Sequence, residues 1–249
     1  MSDRYFVDSP IQGEVAIVTG PEAHHLIHVM RAAAGLEVTL FDGSGVEFTG
    51  RVEKVGRTEV RVAILASEAA DRELPFDLVL GVALPKGDRQ KWLVEKAVEL
   101  GVRRIVPLRT ARSVAQPIEQ ALTRLRRTVV EASKQCGRNR LLEIEEPRHW
   151  AEFVAGHAEA ACRWLAHPGG LTAQPAGLAG GPTGVRARPA VVAIGPEGGF
   201  SPEEVASAVA AGWQPVDLGP RILRVETAAV WLCALVLHAF GGDLQHAGR

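Results

Sequence analysis

The chain has 249 residues, 47% of them apolar, and a formal net charge of −1, which suits one large globular domain or two of ordinary size. Cys136, Cys162 and Cys233 are odd in number and far apart, without a Cys-x-x-Cys pair, so a disulfide framework and a zinc site are not indicated and reduced thiols are expected. The longest apolar stretch, Ala228 to Phe240, is too short to span a bilayer, and Met-Ser-Asp-Arg at the start lacks a signal peptide's apolar region, so a cytoplasmic protein is expected.

The first seventy residues read as mostly β: Glu14–Val18, Val38–Phe41, Val46–Val55 and Glu59–Leu65, with turn signals at Asp42-Gly43 and Val55-Gly56. One helix, Pro21 to Arg31, interrupts them, with Ala23, Leu26, Ile27 and Met30 on one stripe. Short strands around one helix predict a small barrel. His24 and His28 stand at i and i+4, but no acidic or cysteine partner lies nearby, so a surface or RNA contact outweighs a metal site.

From Pro75 strands and helices alternate. The pattern predicts Asp77–Leu84, a helix from Asp88 to Leu100, Arg104–Leu108, a helix from Ile118 to Cys136, Arg163–Ala166, Pro189–Ile194, a helix from Ser201, Pro215–Leu218 and a last helix from Glu226. Such alternation implies a parallel sheet with helices on both faces. Pro168 to Arg188, rich in Gly, Ala and Pro, reads as a flexible loop. Asp88 is a fair N-cap and Gly101 a good residue to end that helix. Lys86, at the mouth of a strand-to-helix turn, reads equally as a phosphate contact or a solvated lysine.

Between Arg103 and Arg140 ten basic residues (Arg103, Arg104, Arg109, Arg112, Arg124, Arg126, Arg127, Lys134, Arg138, Arg140) face only Glu119 and Glu131. That excess is either a phosphate footprint or a solvated face with acidic partners elsewhere in the fold. Within it, Gln135 and Arg138 offer an amide and a planar donor fork, suited to a base edge or a phosphate, though an arginine after a helix can also simply compensate the dipole.

Two loops carry the most chemistry. Ile194-Gly-Pro-Glu-Gly-Gly-Phe-Ser201 follows the apolar run Val191–Ile194, so it starts at a strand's C-terminal end, the edge where open α/β sheets bind ligands. Ser201-Pro-Glu-Glu204 then opens a helix as N-cap, proline and acids. Neither dinucleotide nor phosphate-loop spacing is present, and a purely structural turn would leave unexplained the second loop, Leu218-Gly-Pro-Arg-Ile-Leu-Arg224, with two arginines at the next strand end. Glu226 is placed as the cap of the last helix.

With Arg4-Tyr5-Phe6-Val7, His25-Leu26 and His28-Val29-Met30-Arg31, Lys96-Ala-Val-Glu99-Leu100-Gly101-Val102, Gln135-Cys-Gly-Arg138 and both loops, the chain resembles the bacterial 16S rRNA (uracil-N3)-methyltransferase family, within the SPOUT class, over nearly its full length. It departs from the family pattern where Asn139-Arg140-Leu-Leu-Glu precedes Pro147. The resemblance implies a PUA-like RNA-binding barrel over residues 1–72, a methyltransferase domain over 73–249 closed by a C-terminal trefoil knot, and a homodimer. It implies S-adenosylmethionine bound by Leu165, His167, Ile194, Gly195, Glu197, Gly198, Gly199, Leu218, Gly219, Arg221 and Leu223, with Ile194, Leu218 and Leu223 against the adenine. No metal is implied. Arg4, His25, His28, Arg31, Lys86, Gln135 and Arg138 become the candidate RNA contacts, with 16S rRNA in an assembled or nearly assembled 30S subunit as partner. Arg138 and Arg224 are candidates to stabilise a uracil anion, and Glu197 is one possible base beside water. The competing readings are a SPOUT enzyme acting on transfer RNA or a ribose 2′-hydroxyl, and a catalytically silent assembly factor.

Overall fold

The computed structural model describes residues 4–70, 72–113, 119–172 and 188–240. The chain divides into two compact units: Met1–Glu73 with Val130–Leu141, and Leu74–Val129 with Leu142–Arg249. The division therefore falls inside one helix, and the segment Val130–Leu141 belongs with the N-terminal residues, an arrangement that no single cut of the chain would give.

The first unit is a five-stranded sheet in the order β1-β3-β4-β5-β2, built from β1 (Arg4–Phe6), β2 (Val15–Val18), β3 (Glu37–Phe41), β4 (Glu47–Val55) and β5 (Val60–Glu68). β1 runs parallel to β3 and the other pairs are antiparallel. Alternation along β4 turns Phe48, Gly50 and Val52 inward. The expected helix is α1 (Gly20–His24) continued by a π turn (His25–Val29), in which Met30 N–H donates to the His25 carbonyl at 3.0 Å. Ala23 and Leu26 from these turns join Tyr5, Val18, Val38, Leu40, Val60 and Val62 in one core. The hydrogen-bonded ladder is open between β1 and β2, the two edge strands, whose Tyr5 and Val18 share the one core.

The second unit is a wholly parallel sheet in the order β12-β10-β11-β6-β7-β8, with β9 pairing with β7. Its strands are β6 (Leu78–Val82), β7 (Arg104–Arg109), β8 (Glu143–Ile144), β9 (Arg148–His149), β10 (Cys162–Thr172), β11 (Ala190–Ile194) and β12 (Gln214–Asp217). The helices are α2 (Arg89–Glu99), α3 (Glu119–Cys136, whose last seven residues belong to the first unit), α4 (Trp150–Ala155), α5 (Pro202–Ala210) and α6 (Val225–Phe240). β6 and β11 are buried at every position, as expected of central parallel strands covered on both faces. Trp150, Phe153, Phe200 and Trp213 fill the core on one side, with Trp150 and Phe200 ring centroids 4.4 Å apart. Burial pushes the Cys233 thiol up to about 12 and raises that of Cys162 as well, so both remain protonated.

β8, β9 and α4 carry no pattern long enough to predict them, and β10 reaches Thr172 where a loop from Pro168 was expected; residues 173–187 of that stretch and Ile118 lie outside the described residues. Ser201 forms the predicted cap, a full capping box: its Oγ accepts from Glu204 N–H at 3.2 Å, and Glu204 Oε2 accepts from Ser201 N–H at 2.8 Å. The last helix corrects the sequence reading. It begins at Val225, with Ala228 N–H donating to the Arg224 carbonyl at 2.9 Å, so Glu226 lies inside the first turn and does not cap it. No helix of the described residues is long and apolar enough to cross a membrane.

Candidate active site

All strands of the second sheet are parallel, so their C-terminal ends share one edge. Three of them, β12, β10 and β11, are neighbours; β11 and β12 end in irregular bends, and β10 carries one within its length. In β10 the register against β12 slips between Ala166 and Leu171, so His167 to Gly170 are pushed out of the ladder. After β11 the chain turns at Pro196–Gly199, where Gly199 N–H donates to the Pro196 carbonyl at 2.8 Å. Gly195 is required by crowding: a Cβ there would lie 3.0 Å from Phe200 N and 3.1 Å from Gly199 C. After β12, Gly219 takes φ +108°, open to glycine and strained for other residues.

Side chains tie the bends together. Asp217, the last residue of β12, accepts from Gly169 N–H at 3.0 Å through Oδ2 and from Gly219 N–H at 2.9 Å through Oδ1, so one carboxylate joins the first and third bends. Those two amides, Gly169 first, hold its pKa below the usual carboxylate value. Arg89, the first residue of α2, donates to Glu197 at 3.2 Å and lies 3.9 Å from Glu226, linking the second bend to the start of α6. Arg112 donates to the Gly198 carbonyl at 2.7 Å. Glu226 is buried, and its Oε2 has no hydrogen-bond partner among the described residues.

The expected cofactor residues separate into two sets. Leu165 and Ile194 are core side chains, so they present only main chain at the sheet edge, whereas Leu218 and Leu223 are half-buried and Gly198, Glu197, Gly219 and Arg221 are exposed. His167 and Gly199 are half-buried, and Gly195 is buried. Arg224 is exposed and has no ion pair among the described residues. Lys86, in the turn after β6 at the same edge, is exposed too.

The candidates in the first unit behave differently. Arg138 is 3% exposed and donates to Glu73 through Nε at 3.0 Å and Nη2 at 2.5 Å. Arg4 pairs with Glu47 and donates to Asn139 Oδ1 at 2.5 Å. His25 is half-buried with its ring tilted against Tyr5, while His28, Arg31 and Gln135 are exposed. No cluster of three or more metal-ligating side chains occurs among the described residues.

Arg89, Arg112 and Asp217 carry no role in the sequence reading. Asp217 had a usable signal, an acid two residues before a glycine, which favours a side-chain-to-amide turn. Arg89 and Arg112 had none, since their partners lie about ninety or more residues away along the chain.

A parallel sheet with three cross-tied, glycine-bearing bends at one strand edge, in a chain that also holds a small β unit, defines an α/β protein that takes its ligand at the C-terminal ends of its strands. The RNA methyltransferase domain model matches residues 72–237 and the RNA methyltransferase PUA domain model residues 18–65. Ribosomal RNA small subunit methyltransferase E from Synechocystis is 32% identical over 218 residues, 88% of this chain and 71% of that one. The Bacillus subtilis protein of the same name is 26% identical over 94% of this chain and 95% of its own. The crystal structure of ribosomal RNA small subunit methyltransferase E from Neisseria gonorrhoeae bound to S-adenosyl methionine superposes with a TM-score of 0.83 at 27% identity, covering 95% of this chain and 97% of that one. The chain belongs to the RNA methyltransferase family that contains these small-subunit enzymes.

Proposed function

We propose that the protein is an S-adenosylmethionine-dependent methyltransferase that methylates N3 of a uridine in 16S ribosomal RNA. The observation that carries this reading is the meeting of three bends on neighbouring strands, joined by Asp217 and by Arg89. The bends suit the donor. Exposed main chain at Gly198 and Gly219 can meet the adenine and ribose without a Cβ in the way, half-buried Leu218 and Leu223 offer apolar cover, and Arg221 has a free fork for a carboxylate. Bound there, the sulfonium supplies an electrophilic methyl group.

Uracil N3 carries a proton between two carbonyls, and it must be lost before the nitrogen's lone pair can react. Charge then spreads onto O2 and O4, and an arginine fork beside them favours the anion. Arg224 is the better placed candidate, being exposed and unpaired among the described residues, whereas the Arg138 fork is engaged by Glu73. Glu197 remains a candidate proton acceptor, with water as the other; its partner is Arg89, so proton uptake there would have to break that pair. An anion meeting a cation loses charge as it reacts, so a dry site does not oppose the step and alignment does much of the catalysis. N3 is buried in a base pair, so the uridine has to be unpaired or flipped out. The substrate is then structured 16S rRNA, in an assembled or nearly assembled 30S subunit, in the cytoplasm.

The working form is a homodimer. Trp92 on α2, Trp231 on α6 and Ile222 are exposed apolar side chains that a second copy would cover. The catalytic reading is tested by mass spectrometry of 16S rRNA nucleosides after unmethylated 30S subunits are incubated with the protein and isotope-labelled donor. Labelled 3-methyluridine is expected; a different modified nucleoside, or none, would refute it.

A further inference from the structure

Five of the ten cations of the arginine-rich stretch are spent within the fold. Arg104 pairs with Glu145, Arg126 with Glu119 and Glu146, Lys134 with Glu22, and Arg138 with Glu73, while Arg112 holds the Gly198 carbonyl. What is left outside is ordered. Gln120, Thr123, Arg124 and Arg127 follow i, i+3, i+4 and i+7, so they share one face of α3, and all four are exposed. They line a shallow cleft of about 310 Å³. Arg127 has no ion pair or hydrogen bond among the described residues, and Arg124 donates only to the Gln120 carbonyl of its own helix, at 3.3 Å. The acids of this helix are turned to other cations, Glu119 to Arg126 and Glu131 to Lys134. β7 and β8 are parallel neighbours with α3 between them in sequence, and a helix that joins such strands runs back from their C-terminal edge, the edge that carries the bends.

We propose that this outward stripe of α3 is a contact surface for the phosphate backbone of RNA flanking the methylated base. The proposal rests on the reading of the protein as an rRNA methyltransferase. Two guanidiniums with no ion pair among the described residues are a local positive field on a nearly neutral chain, since Glu131, four residues beyond Arg127, is paired with Lys134. The exposed Gln120 amide one turn before Arg124 adds a donor of the kind that meets phosphate oxygens, while the Thr123 hydroxyl is held by the Glu119 carbonyl. Contacts of this type position the substrate and carry no sequence information, so the stripe sets affinity and register and leaves the choice of base to the bends.

The test is the salt dependence of binding to 30S subunits, for the full chain and for Arg124→Gln/Arg127→Gln. Two lost phosphate contacts should lower the slope of log K against log salt by about 1.4–1.8, so wild type loses about 7–12-fold more affinity than the variant between 50 and 200 mM salt. Melting temperature and affinity for S-adenosylhomocysteine should not change. Arg148→Gln/Arg163→Gln, which removes arginines of the second unit already engaged by Glu145 and by the Ala158 and Ala211 carbonyls, is the control. An unchanged slope in the α3 variant, or an equal fall in the control, would overturn the proposal while leaving the catalytic reading intact. Absence of salt-dependent 30S binding by the wild type would overturn both.

Discussion

The glycine-bearing bends and the arginine-rich stretch stand out equally in the sequence, and the fold treats them in opposite ways. The bends keep their polar groups at the surface: Glu197, Arg221 and Arg224 are exposed, and the ties among the bends run largely through backbone amides and carbonyls. In the stretch from Arg103 to Arg140, by contrast, Arg104, Arg126, Lys134 and Arg138 are neutralised by acids, three of them far along the chain. A run of charge in sequence is therefore a weak guide to a field in space, because folding brings its counter-ions from elsewhere. A bend is a better guide, because its geometry is set by the residues within it.

Four variants sharpen that contrast. The largest loss is expected from Arg138→Ala, which strands Glu73; with side chains 4% and 17% exposed the pair is buried, and breaking such a pair costs about 3–5 kcal/mol. Denaturant unfolding measures it, and a stability close to wild type would return Arg138 to the exposed, functional class. Arg224→Ala should leave stability and donor affinity nearly unchanged while lowering turnover by about 10²–10³-fold, the effect of removing one donor to a developing oxyanion. Rapid-quench methylation at saturating donor reads this directly, and an intact rate would remove Arg224 from the chemistry.

Gly195→Ala should come next. Its new methyl would press on the backbone of Gly199 and Phe200, which must give by a few tenths of an ångström, so methylation should fall by less than the roughly 100-fold that a displacement of about 1 Å costs, with a matching loss of donor affinity by calorimetry. The smallest effect belongs to Asp217. Its pKa lies below the ordinary value of about 3.9, so its contribution is complete above that value and fades only as pH falls through the lower, folded-state value. Donor affinity should thus show no pH dependence from Asp217 near pH 7, and Asp217→Asn, whose amide nitrogen cannot accept, should weaken it modestly there. An Asn variant with wild-type affinity would show that the tie between the first and third bends is dispensable.

Much of this was legible from sequence wherever signals were local and periodic. The strands of both units other than β1, β8 and β9, the α2 and α5 helices and the cap at Ser201 follow from alternation, helical stripes and Ser-Pro-Glu-Glu. Elements defined by tertiary pairing were not: β8 and β9 have two residues each, and α4 is held by Trp150 and Phe153 in the core. In the site, Gly195, Gly199, Gly219 and Arg224 were visible in the loops themselves. Arg89 and Arg112 were not, since each matters through a partner that is distant along the chain. Glu226 was noticed for the wrong reason, as a cap, when it is a buried carboxylate facing Arg89 at 3.9 Å.

The most direct measurement is a crystal structure of the protein with S-adenosylhomocysteine. The thioether and adenine should lie against Gly195–Gly199 and Leu218–Leu223, with the Asp217 hydrogen bonds to Gly169 and Gly219 intact. The ligand lodged elsewhere, with those bends vacant, would contradict the account.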